Sequence, residues 1–146
     1  MPPLQPGVAV DLDGRVLVWS RLDAAVYDPD ANRWRRTPEL PLELRTQAAT
    51  GVVDGHFVVW GGWKLPPDLR SSDGTFSPYL GSLHDGAEYD PATNRWTRID
   101  DGPLSARYAP GSRGGAAGLF VWGGSTSDQD AVPPADDGAL LTLPGS

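Results

Sequence analysis

Cysteine is absent from the 146-residue chain, and histidine occurs only twice, as His56 and His84. Without cysteine there is no disulfide, no thiolate metal site and no cysteine nucleophile. Two histidines are too few for a metal site built on imidazoles. Nothing approaches the roughly 18 consecutive apolar residues of a membrane-spanning helix. The start, MPPLQPGVAVDLDG, has no early Lys or Arg followed by an apolar run, so it does not read as a signal peptide. Positive charge is scarce: 12 Lys and Arg face 19 Asp and Glu, a net charge of −7. Such a chain does not neutralise phosphates, so no nucleic-acid partner is expected. No membrane partner is expected either. The location expected is cytoplasmic, or secreted should an upstream segment be missing. Glycine (18) and proline (15) are abundant. They break the chain into short pieces and disfavour long helices.

The pieces repeat. Tyr27-Asp28-Pro29-Asp30-Ala31-Asn32-Arg33-Trp34 returns as Tyr89-Asp90-Pro91-Ala92-Thr93-Asn94-Arg95-Trp96, and Val58-Val59-Trp60-Gly61-Gly62 returns as Phe120-Val121-Trp122-Gly123-Gly124. Both pairs, and Arg45 with Arg107, are displaced by 62 residues. Val16-Leu17-Val18-Trp19-Ser20 is an earlier copy without the glycines. Trp34 to Trp60 and Trp96 to Trp122 each span 26 residues, but Trp19 to Trp34 spans 15 and Trp60 to Trp96 spans 36. The second unit therefore carries 21 additional residues, placed after Gly62. Four strands are predicted in it: Ala48 to Val53, His56 to Trp60, Gly86 to Tyr89 and Arg95 to Ile99. Asp54-Gly55 suits a tight hairpin turn, and Asp90 to Asn94 a longer one. An antiparallel meander of four strands, repeated about every 40 to 50 residues, suggests the blade of a β-propeller.

The apolar run closing on a double glycine, the Tyr-Asp-Pro strand end and the following Trp resemble kelch repeats over roughly residues 7 to 143. The resemblance implies an all-β fold of kelch-type propeller blades. Blade 1 covers about 7–37 and blade 2 about 45–100, with an insertion at 63–85. Blade 3, about 107–146, is incomplete, and a second insertion falls at 125–137. In blade 1, Ser20-Arg21 stand where the glycines belong. About two and three-quarter blades make a single partial propeller, an incomplete ring. This is read as a fragment of a longer propeller, or as a chain whose copies associate through open blade edges. Trp19, Trp34, Trp60, Trp96 and Trp122 are expected to pack between blades rather than to stack on a ligand.

In a meander the loop after the second strand and the loop into the next blade share a face. That face collects the insertion 63–85, the stretch 125–137 and the loops bearing Arg45 and Arg107. Kelch-like faces of this kind bind partners or small ligands, which the resemblance implies here. Candidate binding residues are Arg45, Arg107, Trp63 and His84. The two guanidinium groups suit a carboxylate held bidentately, or else they bond inter-blade carbonyls and lock the loop. His84 reads as a general base, a ligand or a plain loop residue, and His56 as a solvated strand edge. Asp128, Asp130, Asp136 and Asp137 read as a solvated loop, because the glycine and closing glutamate of a calcium loop are missing. No catalytic residue, metal ligand or cofactor is assigned, and no nucleophile elbow occurs. The function expected is a protein- or ligand-binding, scaffolding module. The alternative is part of a kelch-fold sugar-acting enzyme, epimerase-like or galactose oxidase-like, with Arg45 and Arg107 on an acidic sugar and His84 or Glu88 moving protons. The copper-oxidase form of this alternative is disfavoured, since that chemistry resembles a cysteine-crosslinked tyrosine with histidine ligands and cysteine is absent.

Overall fold

A computed structural model describes residues 7–20, 23–66, 80–99, 101–127 and 133–143. These residues form twelve strands and no helix. The first sheet places β1 (Val8–Leu12), β2 (Arg15–Trp19), β3 (Ala24–Asp28) and β4 (Arg33–Arg36) side by side in chain order. The second holds β6 (Ala49–Val53), β7 (His56–Lys64), β8 (Ser82–Asp90) and β9 (Arg95–Ile99), with the short β5 (Arg45–Thr46) pairing the far end of β7. The third holds β10 (Gly111–Gly115), β11 (Gly118–Trp122) and β12 (Gly138–Leu141). All pairings are antiparallel, so the meander expected from the repeat is present in each sheet.

The turns follow from their residues. Asp54 and Gly55 both take positive φ, 51° and 77°, the geometry of a two-residue hairpin whose twist matches its strands. Asn32 and Asn94 take φ of 50° and 55°, and their side chains accept hydrogen bonds from the hydroxyls of Tyr27 (2.8 Å) and Tyr89 (2.6 Å). Each Tyr-Asp-Pro-x-x-Asn segment thus closes on itself. Asp28 and Asp90 also accept backbone N–H bonds within those turns.

Two cores lie between the sheets. Leu12, Leu17, Trp19 and Val26 of the first meet Phe57, Val59 and Tyr89 of the second. Val58, Trp60 and Ile99 of the second meet Leu119, Val121 and Leu141 of the third. Strands β6, β7 and β9 of the middle sheet therefore send side chains to opposite neighbours, as the two-residue period of a strand requires. Each fully buried aliphatic or aromatic side chain contributes about 1.5–3 kcal/mol. The inner strands β6 and β10 approach closely enough that Ser112 Oγ bonds both the N–H and the carbonyl of Thr50. A Cβ on Gly114 would collide with the Val52 carbonyl, so glycine is required there.

Trp60 and Trp19 are buried between sheets, and Trp96 packs against the first core with its Nε1–H on the Pro38 carbonyl at 3.1 Å. Trp34 is half-buried beside Tyr27. Trp122, expected to pack between blades, is instead 52% exposed, because no sheet among the described residues covers that side of β11. The insertion expected at 63–85 also proves partly regular. β7 continues through Trp63 and Lys64, and β8 starts at Ser82. Residues 67–79 of it lie outside the described residues, as do Asp128 and Asp130 of the second insertion.

Candidate functional site

The loop-bearing face is built on the double glycines. Gly61 and Gly62 take φ of 68° and 112°, a left-handed pair that shifts the β7–β8 register between Trp60 and Gly62. This bulge turns the end of β7 outward, where Gly62 pairs with Leu83 and Trp63 with Ser82. The result is a two-stranded arm carrying the insertion.

Arg45 and Arg107 sit beneath this face, both fully buried. The Arg45 Nη1 donates to the Gly61 carbonyl (3.1 Å), the Asp85 carbonyl (3.1 Å) and Asp85 Oδ1 (2.8 Å), and its Nε donates to the Glu43 carbonyl. Arg107 repeats the pattern with Gly123 (3.1 Å), the Asp137 carbonyl (3.3 Å), Asp137 Oδ1 (2.8 Å) and the Ser105 carbonyl. Of these carbonyls, those of Gly61 and Asp85, and of Gly123 and Asp137, belong to the arginine's own blade, whereas those of Glu43 and Ser105 lie in the connections between blades. It is the Arg107 backbone that crosses between blades, accepting from Gly62 N–H (2.8 Å) and donating to the Leu83 carbonyl (3.1 Å). Each arginine therefore ties the first glycine of its pair to an aspartate at the third strand of its blade, within β8 for Asp85 and just before β12 for Asp137.

The aspartates of these pairs escape a search at one fixed displacement. Asp85-Gly86-Ala87 and Asp137-Gly138-Ala139 are the same tripeptide, but the unequal insertions leave them 52 residues apart rather than 62. Aligning the third strands of each unit is the signal that finds them. Burial works to raise the Asp85 carboxyl, yet the hydrogen bond and charge of Arg45, with Arg98 behind it, hold it below the usual carboxylate value. The Arg107 hydrogen bond likewise holds the exposed Asp137 carboxyl low.

Trp63 is half-buried and meets Tyr108 edge-on, with ring centroids 4.9 Å apart. The Tyr108 hydroxyl donates to the Ser127 carbonyl at 3.0 Å. This aromatic pair links the arm of the second blade to the 125–127 loop of the third, and Tyr108 was not among the sequence candidates. His84 stands apart from it: it is exposed, with Nδ1 3.4 Å from Asp101 Oδ2. His56, expected as a solvated edge, is half-buried because it lies across from Glu88 (3.6 Å) and Asp90 (3.8 Å). Glu88 is only 9% exposed. It stands four residues along β8 from His84, about 13 Å at strand rise. No group of three His, Cys, Asp or Glu among the described residues has the geometry to hold a metal ion. Nor is any helix among them long and apolar enough to cross a membrane.

No family model matches the chain. Among curated proteins it is similar to a putative F-box/kelch-repeat protein of Arabidopsis thaliana, 33% identical over 82 residues, which are 56% of this chain and 18% of that protein. It is 30% identical over 81 residues to an N-acetylneuraminate epimerase of Yersinia enterocolitica, covering 56% of this chain and 18% of that enzyme. It is 32% identical over 81 residues to Kelch-like protein 23 of Mus musculus, covering 56% and 12%. The chain thus spans less than a fifth of the length of each of these relatives. Among solved structures it is similar to YjhT, with a TM-score of 0.60 and 18% identity over 80% of this chain and 43% of that one. With its double glycines, its antiparallel meanders and its Tyr-Asp-Pro turns, the chain carries repeats similar to those of kelch proteins, and its sheets have the fold of kelch-type β-propeller blades.

Proposed function

We propose that the chain is a binding module whose recognition face is formed by the arm and insertion at 63–85 and the loop at 125–137, and that its partner is a protein. The observation that carries this reading is the anchored arm. A buried arginine–aspartate pair fixes its base, and Trp63 against Tyr108 joins it to the neighbouring blade's loop. Long segments presented by a rigid scaffold are where recognition concentrates. In this reading Arg45 and Arg107 act through the loops they hold. Trp63 and His84 are the side chains offered to the partner, Trp63 as the apolar anchor and His84 as a polar group at the margin. The test replaces residues 67–79 by a short Gly-Ser bridge. Proteins co-purifying with the intact chain are identified and then titrated individually against both forms. The expected outcome is a partner whose affinity falls at least about tenfold on shortening. If every such partner binds both forms equally, the face is not the recognition surface.

One likeness favours a second reading, that of a sugar-acting enzyme, since an N-acetylneuraminate epimerase is among the relatives. Under it Arg45 and Arg107 would face an acidic sugar and His84 or Glu88 would move protons. The buried, internally bonded guanidinium groups weigh against it. Incubation with N-acetylneuraminate, followed by NMR of the anomeric signals, decides it: unchanged exchange rates remove this reading.

A further inference from the structure

Residues 107–109 are shared by two blades. The Arg107 backbone faces the second blade, donating to the Leu83 carbonyl (3.1 Å) and accepting from Gly62 N–H (2.8 Å). The Tyr108 backbone faces the third, where its N–H and carbonyl both pair with Ser125, at 2.9 and 2.8 Å. The Ala109 N–H turns back to the second blade and donates to the Gln47 carbonyl (2.7 Å). In an extended strand the polar groups of successive residues point to opposite sides, so this short segment pairs with each blade in turn. The double glycines make room for it. A Cβ on Gly61 would lie 3.0 Å from the Arg107 carbonyl oxygen, and one on Gly124 would lie 2.9 Å from that of Tyr108. Side chains hold the same segment from both directions. The buried Arg107 guanidinium is gripped from the third blade by the Gly123 carbonyl and the Asp137 carboxylate. The Tyr108 ring meets Trp63 of the second blade's arm, and its hydroxyl bonds Ser127 of the third.

We infer that the arm of the second blade (62–65 and 81–85) and the loop at 123–127 of the third form one cooperative unit, opening and closing together about residues 107–109. Lifting the arm takes both backbone partners from Arg107. Lifting the loop takes both from Tyr108. Either event leaves the shared segment paired on one side only, with buried polar groups newly unmatched, and so lowers the cost of the other. Local opening in contiguous cooperative units is the general behaviour of folded chains. The coupling has a consequence for recognition: a partner that orders either segment also orders the other. That consequence rests on the binding reading above, whereas the coupling itself belongs to the chain without a partner.

Amide exchange of the 146-residue chain alone, followed by NMR, tests the coupling with no partner present. Asp137→Ala removes the carboxylate that grips Arg107 from the third blade. The Asp137 side chain is 59% exposed, so its loss leaves the core intact. Exchange is expected to accelerate at least about fivefold at Gly62 and Lys64 of the second blade, while amides of β2 and β3 stay within about twofold. Asp85→Asn perturbs from the other side, through Arg45 and Arg98 of the second blade. It is expected to accelerate Tyr108 and Ser125 by a similar factor. Acceleration that crosses the blade boundary in either variant, with β2 and β3 quiet, is the expected result. If neither variant moves the other blade's amides by more than about twofold, the segments open independently and the coupling is wrong. Acceleration that reaches β2 and β3 equally also overturns it, because it then reports global unfolding. Should either variant fail to fold, Tyr108→Phe deletes only the hydroxyl bond to Ser127, with acceleration at Gly62 and Lys64 again expected.

Discussion

Replacing Arg45 by Met isolates the clamp beneath the arm. Methionine fills the space of the arginine stem as far as Nε but removes the charge and all the donors. The Gly61 carbonyl, the Asp85 carbonyl and the Asp85 carboxylate each lose a partner at 2.8 to 3.1 Å, and the Glu43 carbonyl loses the Nε bond. Removing one member of a buried ion pair costs about 3–5 kcal/mol, because the remaining polar groups stay desolvated. Two effects lower that figure. Asp85 keeps Arg98 at 3.5 Å and retains 20% side-chain exposure, so water reaches it. The Arg45 Nη2, buried without a hydrogen-bond partner, no longer bears its desolvation cost. The expected loss is therefore about 3 kcal/mol, the low end of that range. For a domain of this size it lowers the melting temperature by about 6–12 °C. Urea denaturation gives the free energy, and amide exchange over residues 81–86 reports the arm. Exchange there accelerates more than in β2 and β3, since the clamp ties the arm and not the first blade. A cost under about 1 kcal/mol would put the interaction in the class of exposed ion pairs and refute the reasoning.

Other outcomes follow from the same coordinates. The Asp85 and Asp137 carboxyls lie below the usual carboxylate value, held there by their arginines, so the stability they add is complete above the unfolded value and is lost as pH falls through the lower folded values. The gap between wild type and Arg45→Met, measured by thermal melting, therefore narrows below about pH 4 and is constant from about pH 5 to 7. Gly114→Ala pushes a Cβ into Val52 and is expected to destabilise by about 2–3 kcal/mol, whereas Gly115→Ala, with nothing within 4 Å, changes the denaturation midpoint little. Trp60→Phe removes the Nε1–H bond to the Asp101 carbonyl (2.8 Å) and part of the core volume, costing about 1–3 kcal/mol. The same change at exposed Trp122 stays within about 0.5 kcal/mol; equal costs at the two positions would contradict their different burial.

The aromatic repeat and the turn residues determined the blades. Tyr-Asp-Pro-x-x-Asn and Asp-Gly close hairpins by local hydrogen bonds and positive φ, and strand alternation then assigns Phe57 and Val58 to opposite neighbours without reference to anything distant. The alternation of loop direction in any meander also agrees with Trp63 meeting Tyr108 beside Ser127. The long-range partners were not. Arg45 reaches Asp85 across 40 residues and an insertion of unequal length, so constant spacing carries no trace of the pair. The Trp63–Tyr108 contact depends on how the bulge at Gly61-Gly62 aims the arm, and His56 gained its half-burial only when β8 brought Glu88 across from it. Local chemistry wrote the strands and turns into the sequence. Tertiary packing decided that the two arginines face inward, since their donors find acceptors only after three separate segments have converged.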